Sequence, residues 1–255
     1  MKMIIRTRKD EIVCIAQHDH GYLSGEIASK FRTELLGTCD RYEDAVYAAY
    51  EHDCSWIGLD DTPIWNDAQQ EPYTFMDYPM ALKLVFYRKG LDDIEKANPY
   101  ASLLCSKHFA SFFHVEEQQD VIEFLQHERQ RQQRIREQVV DLSDSTIANH
   151  FRMLQFCDDL SLYVCLNEPG VQKAEEFPWY QDGFERTEPF NMESGEQLQG
   201  EWLDDRTIRV TPTPFTEPFT AVLSYKVVAK EQIHKSGIAS AYKEAERREQ
   251  VIHVT

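Results

Sequence analysis

Residues 145–167 read STIANHFRMLQFCDDLSLYVCLN, and the phase of this stretch decides what the chain builds. At about 100° of rotation per residue, Ile147, Phe151, Leu154, Leu162 and Cys165 fall within about 40° of one line along a helix. Asp158 stands at the centre of that apolar stripe. Asp159 lies about 100° round, near the boundary, and His150 lies near an edge. Burying one ionised carboxylate without a partner costs several kcal/mol, so an inward Asp158 needs something to face it.

Working outward, helical periodicity broken by turn signals predicts further helices at 20–36, 42–56, 79–90, 99–114 and 117–140. In the first, Leu23, Ile27 and Phe31 define the buried stripe, and His20 falls within about 20° of its centre. His18 faces the opposite way, and Asp19 is the expected N-cap. In the second, Tyr42, Ala45, Val46 and Ala49 face inward, and the dipeptide His52-Asp53 straddles that face about 60° to one side and 40° to the other. The small residues Ala45, Ala48 and Ala49 admit a close neighbour. In the fourth, His108 sits among Ala101, Leu104, Cys105 and Phe112, whereas His114 rotates away; His127 falls on a polar face.

These phases bring His20, His52, Asp53 and Asp158 towards one interior point. No Lys or Arg shares their stripes, since Lys107 and Arg152 rotate off, and two carboxylates in one core repel unless a cation sits between them. A divalent metal ion is the simplest neutraliser. Nitrogen and oxygen donors without thiolate suit Mn, Fe, Co, Mg or Zn and do not choose among them. Such an ion lowers the pKa of bound water and polarises a phosphoryl or carbonyl oxygen, the chemistry of metal-assisted hydrolysis. His108 is then the candidate substrate-side acid or base, or a ligand to a second ion, and Asp53 is expected to serve catalysis as well as the metal.

The two ends of the chain read differently from its middle. MIIRT (3–7) and EIVCIA (11–16) alternate as a β-hairpin, and RTIRVTP (206–212), FTAVLSYKVVA (219–229) and QVIHVT (250–255) read as strands, with a short helix in GIASAYKEAERR (237–248). The expected fold is one α+β domain over 1–255: an N-terminal hairpin (1–17), a helical core (18–167), an irregular, Pro-, Gly- and acid-rich surface loop (168–205), and C-terminal strands with a short helix (206–255). The strands from both ends are expected to form one antiparallel sheet packed on the helices.

With 27 basic and 44 acidic residues, the net charge of −17 excludes a general nucleic-acid or anionic-membrane binder, which needs clustered Lys and Arg. A small-molecule substrate or ligand is the expected partner. The longest charge-free apolar stretch, Ser161 to Asn167, is far shorter than a membrane span. Six cysteines at 14, 39, 54, 105, 157 and 165 show no C-x-x-C pair, which predicts reduced core thiols and a cytoplasmic compartment. Arg129, Arg131, Arg134 and Arg136 form a basic strip in the helix at 117–140, read as a solvated face or a protruding hairpin.

The order His20, His52-Asp53, Asp158 resembles the H…HD…D signature of the HD-domain metal-dependent phosphohydrolases. That resemblance covers residues 18–167 and implies an HD-like helical bundle with these four side chains on one divalent cation; His108 stands where many members carry an additional His. More narrowly, QHDHGYLSGEIA, AAYEHDCSW, NPYASLLCSKHF and LQFCDDLSLYVCLN resemble a bacterial group known as domain of unknown function 3891, over nearly the whole chain and including the terminal strands. Many HD enzymes continue the dipeptide as HDxGK, where this chain has Cys54, Ser55 and Trp56, so the phosphate clamp is unaccounted for. The expected function is a mononuclear metal-dependent hydrolase of a small phosphate ester or nucleotide. Its rivals are a non-catalytic metal- or ligand-binding protein, with the aromatic loop 177–190 meeting a partner, and a di-iron oxygenase.

Overall fold

The computed structural model describes residues 3–113 and 118–255. In chain order, β1 (Ile4–Thr7) and β2 (Glu11–Ile15) lead into α1 (Gln17–Ala28) and α2 (Tyr42–Glu51). A short ribbon, β3 (Trp65–Asn66) and β4 (Glu71–Pro72), precedes α3 (Met80–Ala97), α4 (Pro99–Ala110), α5 (Gln119–Gln138) and α6 (Asp144–Leu166). The chain then forms β5 (Gln199–Trp202), β6 (Thr207–Thr211), β7 (Phe219–Ala229), α7 (Lys230–Ser236), α8 (Ile238–Glu244) and β8 (Arg247–Val254). The fold is mixed α+β.

Strands from both ends of the chain form a six-stranded sheet in the order β1-β2-β7-β8-β6-β5. Alternation along β2 divides its side chains between two cores. Val13 and Ile15 pack with the helices, while Ile12 and Cys14 pack with Val228, Ile233 and Ile238 under α7 and α8. The sheet is not wholly antiparallel, because β6 pairs with β8 in parallel, Thr207 opposite His253. The excursion through α7 and α8 returns the chain as β8 antiparallel to β7, and the β5–β6 hairpin then joins the far side of β8. Alternation marks strands but carries no direction.

The segment 168–205 is not a surface loop. It folds into short 3-10 turns and β5, and buries Tyr180, Phe184, Phe190 and Leu198. Phe184 packs on Phe156 of α6 with ring centroids 5.3 Å apart, and Tyr180 packs on Tyr163 at 5.6 Å. Its polar composition hides a set of aromatics, each of which buries a large apolar area.

Helix limits differ from expectation where tertiary contacts intervene. α1 starts at Gln17, not at Asp19, because Asp60 Oδ2 accepts from the Gln17 N–H at 2.6 Å and supplies the cap from a distant loop. Asp19 instead lies in the first turn and meets Arg247 at 2.6 Å. α3 runs through Gly90 to Ala97, since a Cβ at Gly90 would stand 2.5 Å from Ser55 Cβ. Here glycine marks a close approach, not a stop. α4 ends at Ala110, so Phe112 leaves the buried stripe and is 48% exposed. His114 lies outside the described residues.

α6 is the central rod: from Met153 to Cys165 every residue except Asp159 is buried. His150, expected near an edge, is fully buried, and its Nδ1 and the Tyr100 hydroxyl share a hydrogen bond of 2.7 Å. Burial pushes its pKa down to about 4, against the opposing charge of Asp44. The unfolded chain therefore takes up a proton at His150 between about pH 6.5 and pH 4 that the folded chain refuses. This contribution, about 3 kcal/mol, is present above pH 6.5 and lost as pH falls towards 4. Urea unfolding of His150→Gln at pH 7, 6, 5 and 4 is expected to show a shallower fall in stability than the parent.

The basic strip is not a single solvated face. Arg131 is buried and bonds Glu128 at 2.9 Å, Asp92 at 2.5 Å and also Glu95. Val121, Phe124, Leu125, Glu128, Arg131 and Ile135 form the buried face of α5, with the ion pair continuing the apolar stripe. Ala45, Ala48 and Ala49 are fully buried, with Cys105 of α4 against the Ala48 carbonyl, and α1 meets α2 closely at Gly25, where a Cβ would lie 2.1–2.4 Å from the Tyr50 ring. Gly25→Ala is expected to lower stability, since overpacking costs about 1–3 kcal/mol against a helix-propensity gain of at most about 1 kcal/mol. A reduced urea midpoint with unchanged slope is the expected readout.

Candidate metal centre

His20 projects from the N-terminal end of α1, as its fourth residue, Asp158 and Ser161 from α6, and His108 from α4. α2 ends at Glu51; His52 keeps helical backbone angles, but Asp53 turns away at φ −109° and ψ 16°. This break lets two adjacent residues share a target, which successive residues inside a helix seldom do. His20, His52, Asp53, His108 and Asp158 are all buried.

The atoms converge closely. His20 Nε2 lies 2.8 Å and His52 Nε2 3.2 Å from Asp158 Oδ1, and the two nitrogens are 3.3 Å apart. Asp53 Oδ2 stands 3.8 Å from His20 Nε2 and 3.7 Å from His52 Nε2. His108 Nε2 approaches the other oxygen of Asp158, Oδ2, at 3.3 Å.

Outer contacts fix which ring atoms face the centre. The His52 Nδ1–H donates to the Ala49 carbonyl at 2.8 Å. Ser161 Oγ donates to the Asp158 carbonyl at 2.9 Å, so it accepts from His20 Nδ1–H at 2.7 Å. Both Nε2 atoms therefore present lone pairs to each other and to a carboxylate, an arrangement that needs a proton or a metal ion among them. The Trp56 indole N–H donates to Asp53 Oδ1 at 3.0 Å and turns Oδ2 towards the imidazoles.

Charge in the cluster is strongly coupled. Burial alone would lower the pKa of His52, but the carboxylates of Asp53 and Asp158 outweigh it and raise it to about 9. Burial alone would raise Asp158, yet the charge of His52 and hydrogen bonds from His108, His20 and His52 hold it well below the usual carboxylate range. A protonated His52 is thus a second means of balancing the carboxylates, beside the metal ion inferred from sequence. Proton and ion compete for one lone pair.

His20, His52 and Asp158 form a group that could hold a metal ion. Their donor atoms are 2.8–3.3 Å apart. Ligands at right angles on an ion with bonds of about 2.1 Å stand about 3.0 Å apart, so the donor set fits a small divalent cation. Cys54 takes no part; its Sγ faces the Gly90 carbonyl at 3.9 Å. The cysteines among the described residues are free, with no disulfide.

The cluster borders a cavity of about 690 Å³, within the roughly 300–1,000 Å³ of small-molecule sites. His20, Asp53, His108 and Asp158 line it, and aromatic walls include Trp56, Tyr87, Phe112 and Trp179. Trp179, in the aromatic loop 177–190, borders the cavity and is half exposed. Two residues that sequence phase did not find complete the inner site. Ser161 follows Asp158 at i+3, a spacing that could have shown it, whereas Trp56 lies on a 3-10 turn where helical phase no longer applies.

With the geometry in hand, comparison with known proteins adds one result. Residues 3–230 match the family described as "Protein of unknown function (DUF3891)". The chain belongs to that family. The DUF3891 match takes in the N-terminal hairpin, every element of the cluster and β5 to β7, and stops before most of α7, α8 and β8. No curated protein and no solved structure matches the chain. No helix among the described residues is long and apolar enough to cross a membrane.

Proposed function

We propose that this DUF3891 protein is a mononuclear metal-dependent hydrolase of a small phosphate ester or nucleotide, with His20, His52, Asp53 and Asp158 as an HD-type ligand set. The observation that carries the reading is the convergence of two lone-pair nitrogens and a carboxylate oxygen, 2.8–3.3 Å apart, beside a cavity of small-molecule size that His20 and Asp158 line. A divalent ion held by these residues supplies an activated water and polarises a phosphoryl oxygen.

The chain's own groups divide the remaining work. The Trp56 N–H and the Ser161 hydroxyl hold Asp53 and His20 in register. Hydrolysis adds water across the P–O ester bond: oxygen joins phosphorus, the ester oxygen leaves, and one proton passes from the water to the leaving group. His108 lines the cavity and in this reading carries that proton. Among the described residues no second three-ligand group accompanies the first, which favours one ion over the two of an oxygenase.

Elemental analysis of purified protein tests the reading. About one equivalent of divalent metal is expected, lost in Asp53→Ala and Asp158→Ala, together with turnover of members of a phosphate-ester panel lost in the same variants. Tight metal without turnover across the panel would establish the non-catalytic binder, and coupled iron would establish the oxygenase.

A further inference from the structure

After the His-Asp dipeptide this chain has Cys54, Ser55 and Trp56, and no cation. We infer that Arg186 is the anion-binding residue of this cavity, receiving the phosphoryl group of the substrate beside the metal cluster; this rests on the hydrolase reading above.

Among the described residues, two of those lining the cavity are Lys or Arg, namely Lys83 and Arg186. The Lys83 ammonium is engaged with the carbonyls of Phe75 at 2.8 Å and Met76 at 3.2 Å, tying the cavity wall together. Arg186 is held differently. Its guanidinium meets Asp159 Oδ2 at 3.3 Å and Glu185 at 3.9 Å, and its side chain is 47% exposed. These are long, solvent-accessible contacts that a phosphate, with three acceptor oxygens, can displace, and a guanidinium fork binds phosphate through paired N–H donors.

The backbone beneath Arg186 is built to present it. Arg186 adopts φ +64°, a left-handed conformation unusual for a residue other than glycine. The chain is pinned on both sides of it. Phe184 is buried and its N–H donates to the Leu198 carbonyl at 2.9 Å. The buried Thr187 hydroxyl donates to the Phe184 carbonyl at 2.5 Å and accepts from the Leu198 N–H at 2.8 Å. A strained residue between two anchored neighbours is a fixed mount for a side chain, and this one borders the cavity that holds His20, Asp53, His108 and Asp158. Asp159, next in sequence to Asp158, keeps the guanidinium at the wall. In a chain of net charge −17, a guanidinium at this point also offsets the repulsion that an approaching phosphate meets.

The test is calorimetric titration of inorganic phosphate, the hydrolysis product, into wild-type, Arg186→Ala and Arg186→Lys protein, each with and without one equivalent of Mn²⁺. Arg186→Ala keeps a Cβ at the same φ, so the backbone cost is shared with the parent, and circular dichroism checks the fold. A loss of phosphate affinity of at least about tenfold in Arg186→Ala, partly restored in Arg186→Lys because charge returns without the fork, is the expected result. Affinity in Arg186→Ala within about twofold of wild type, or no binding of millimolar phosphate by wild type, overturns the assignment. The two readings fail separately: absence of metal binding removes the hydrolase, while the phosphate titration of the metal-free proteins still decides Arg186.

Discussion

Asp158→Asn is expected to take the bound metal from about one equivalent to below about a tenth when the protein is dialysed against micromolar metal. The side chain keeps its shape and one acceptor oxygen, so the change isolates charge. In the parent, Asp158 Oδ1 lies 2.8 Å from His20 Nε2 and 3.2 Å from His52 Nε2, while Asp53 Oδ2 stays 3.7–3.8 Å from both. Without Asp158 the nitrogens keep one carboxylate, and that one is farther away. Loss of an outer partner alone costs roughly 10–100-fold in metal affinity, so loss of this inner oxygen should exceed about 100-fold. Elemental analysis with a fold check by circular dichroism reads the result. A folded Asp158→Asn protein retaining a full equivalent would sink the metal centre and the hydrolase with it.

His108→Asn is expected to separate chemistry from metal binding. The two oxygens of Asp158 have different neighbours: Oδ1 faces His20 and His52, and Oδ2 faces His108 at 3.3 Å. His108 therefore sits beside the cluster without sharing its lone-pair centre. Its ring is held edge-on between His52, at 5.4 Å between centroids, and Phe112, at 4.7 Å. Asparagine can still donate to Asp158 but cannot accept and return a proton. Metal content should remain near one equivalent while kcat on the best phosphate ester falls by about 10²–10⁴-fold, the usual worth of a positioned acid or base. A kcat within about threefold of the parent would remove His108 from the chemistry; loss of metal as well would make it a ligand.

These residues differ in how far the sequence revealed them. Asp158 sits well inside α6 and His20 near the start of α1, both on helices whose rotation per residue carries orientation along the rod, and both are buried as their phases require. Yet phase was less decisive for Asp158 than it looked. α6 is buried almost all round between 153 and 165, so any ionisable residue there other than Asp159 would have pointed into protein. What marked Asp158 was its charge, not its angle. For His52 and Asp53 the sequence pattern predicts a helix to residue 56, whereas the helix stops at Glu51 and the break itself brings the pair together.

Arg186 had no such signal. It contacts Asp159 from 27 residues away, on a left-handed turn within a segment whose composition resembled a solvated loop. Periodicity ends where regular structure ends, and composition does not report which aromatics a loop buries. The Cys54-Ser55-Trp56 departure, which left the site short of a cation, places instead an indole N–H on Asp53.

By itself the sequence determined the longer helices, the strands at the two ends of the chain and the residues able to carry charge chemistry, because the repeats of helix and strand are local and a buried carboxylate demands a partner wherever it lies. Only the tertiary structure decided the parallel pairing of β6 with β8, the cap from Asp60, the burial of His150 and Arg131, and the arrival of Arg186 at the cavity. Each of these joins segments distant in the chain, and such contacts are set by the packing of whole elements, which no local repeat encodes.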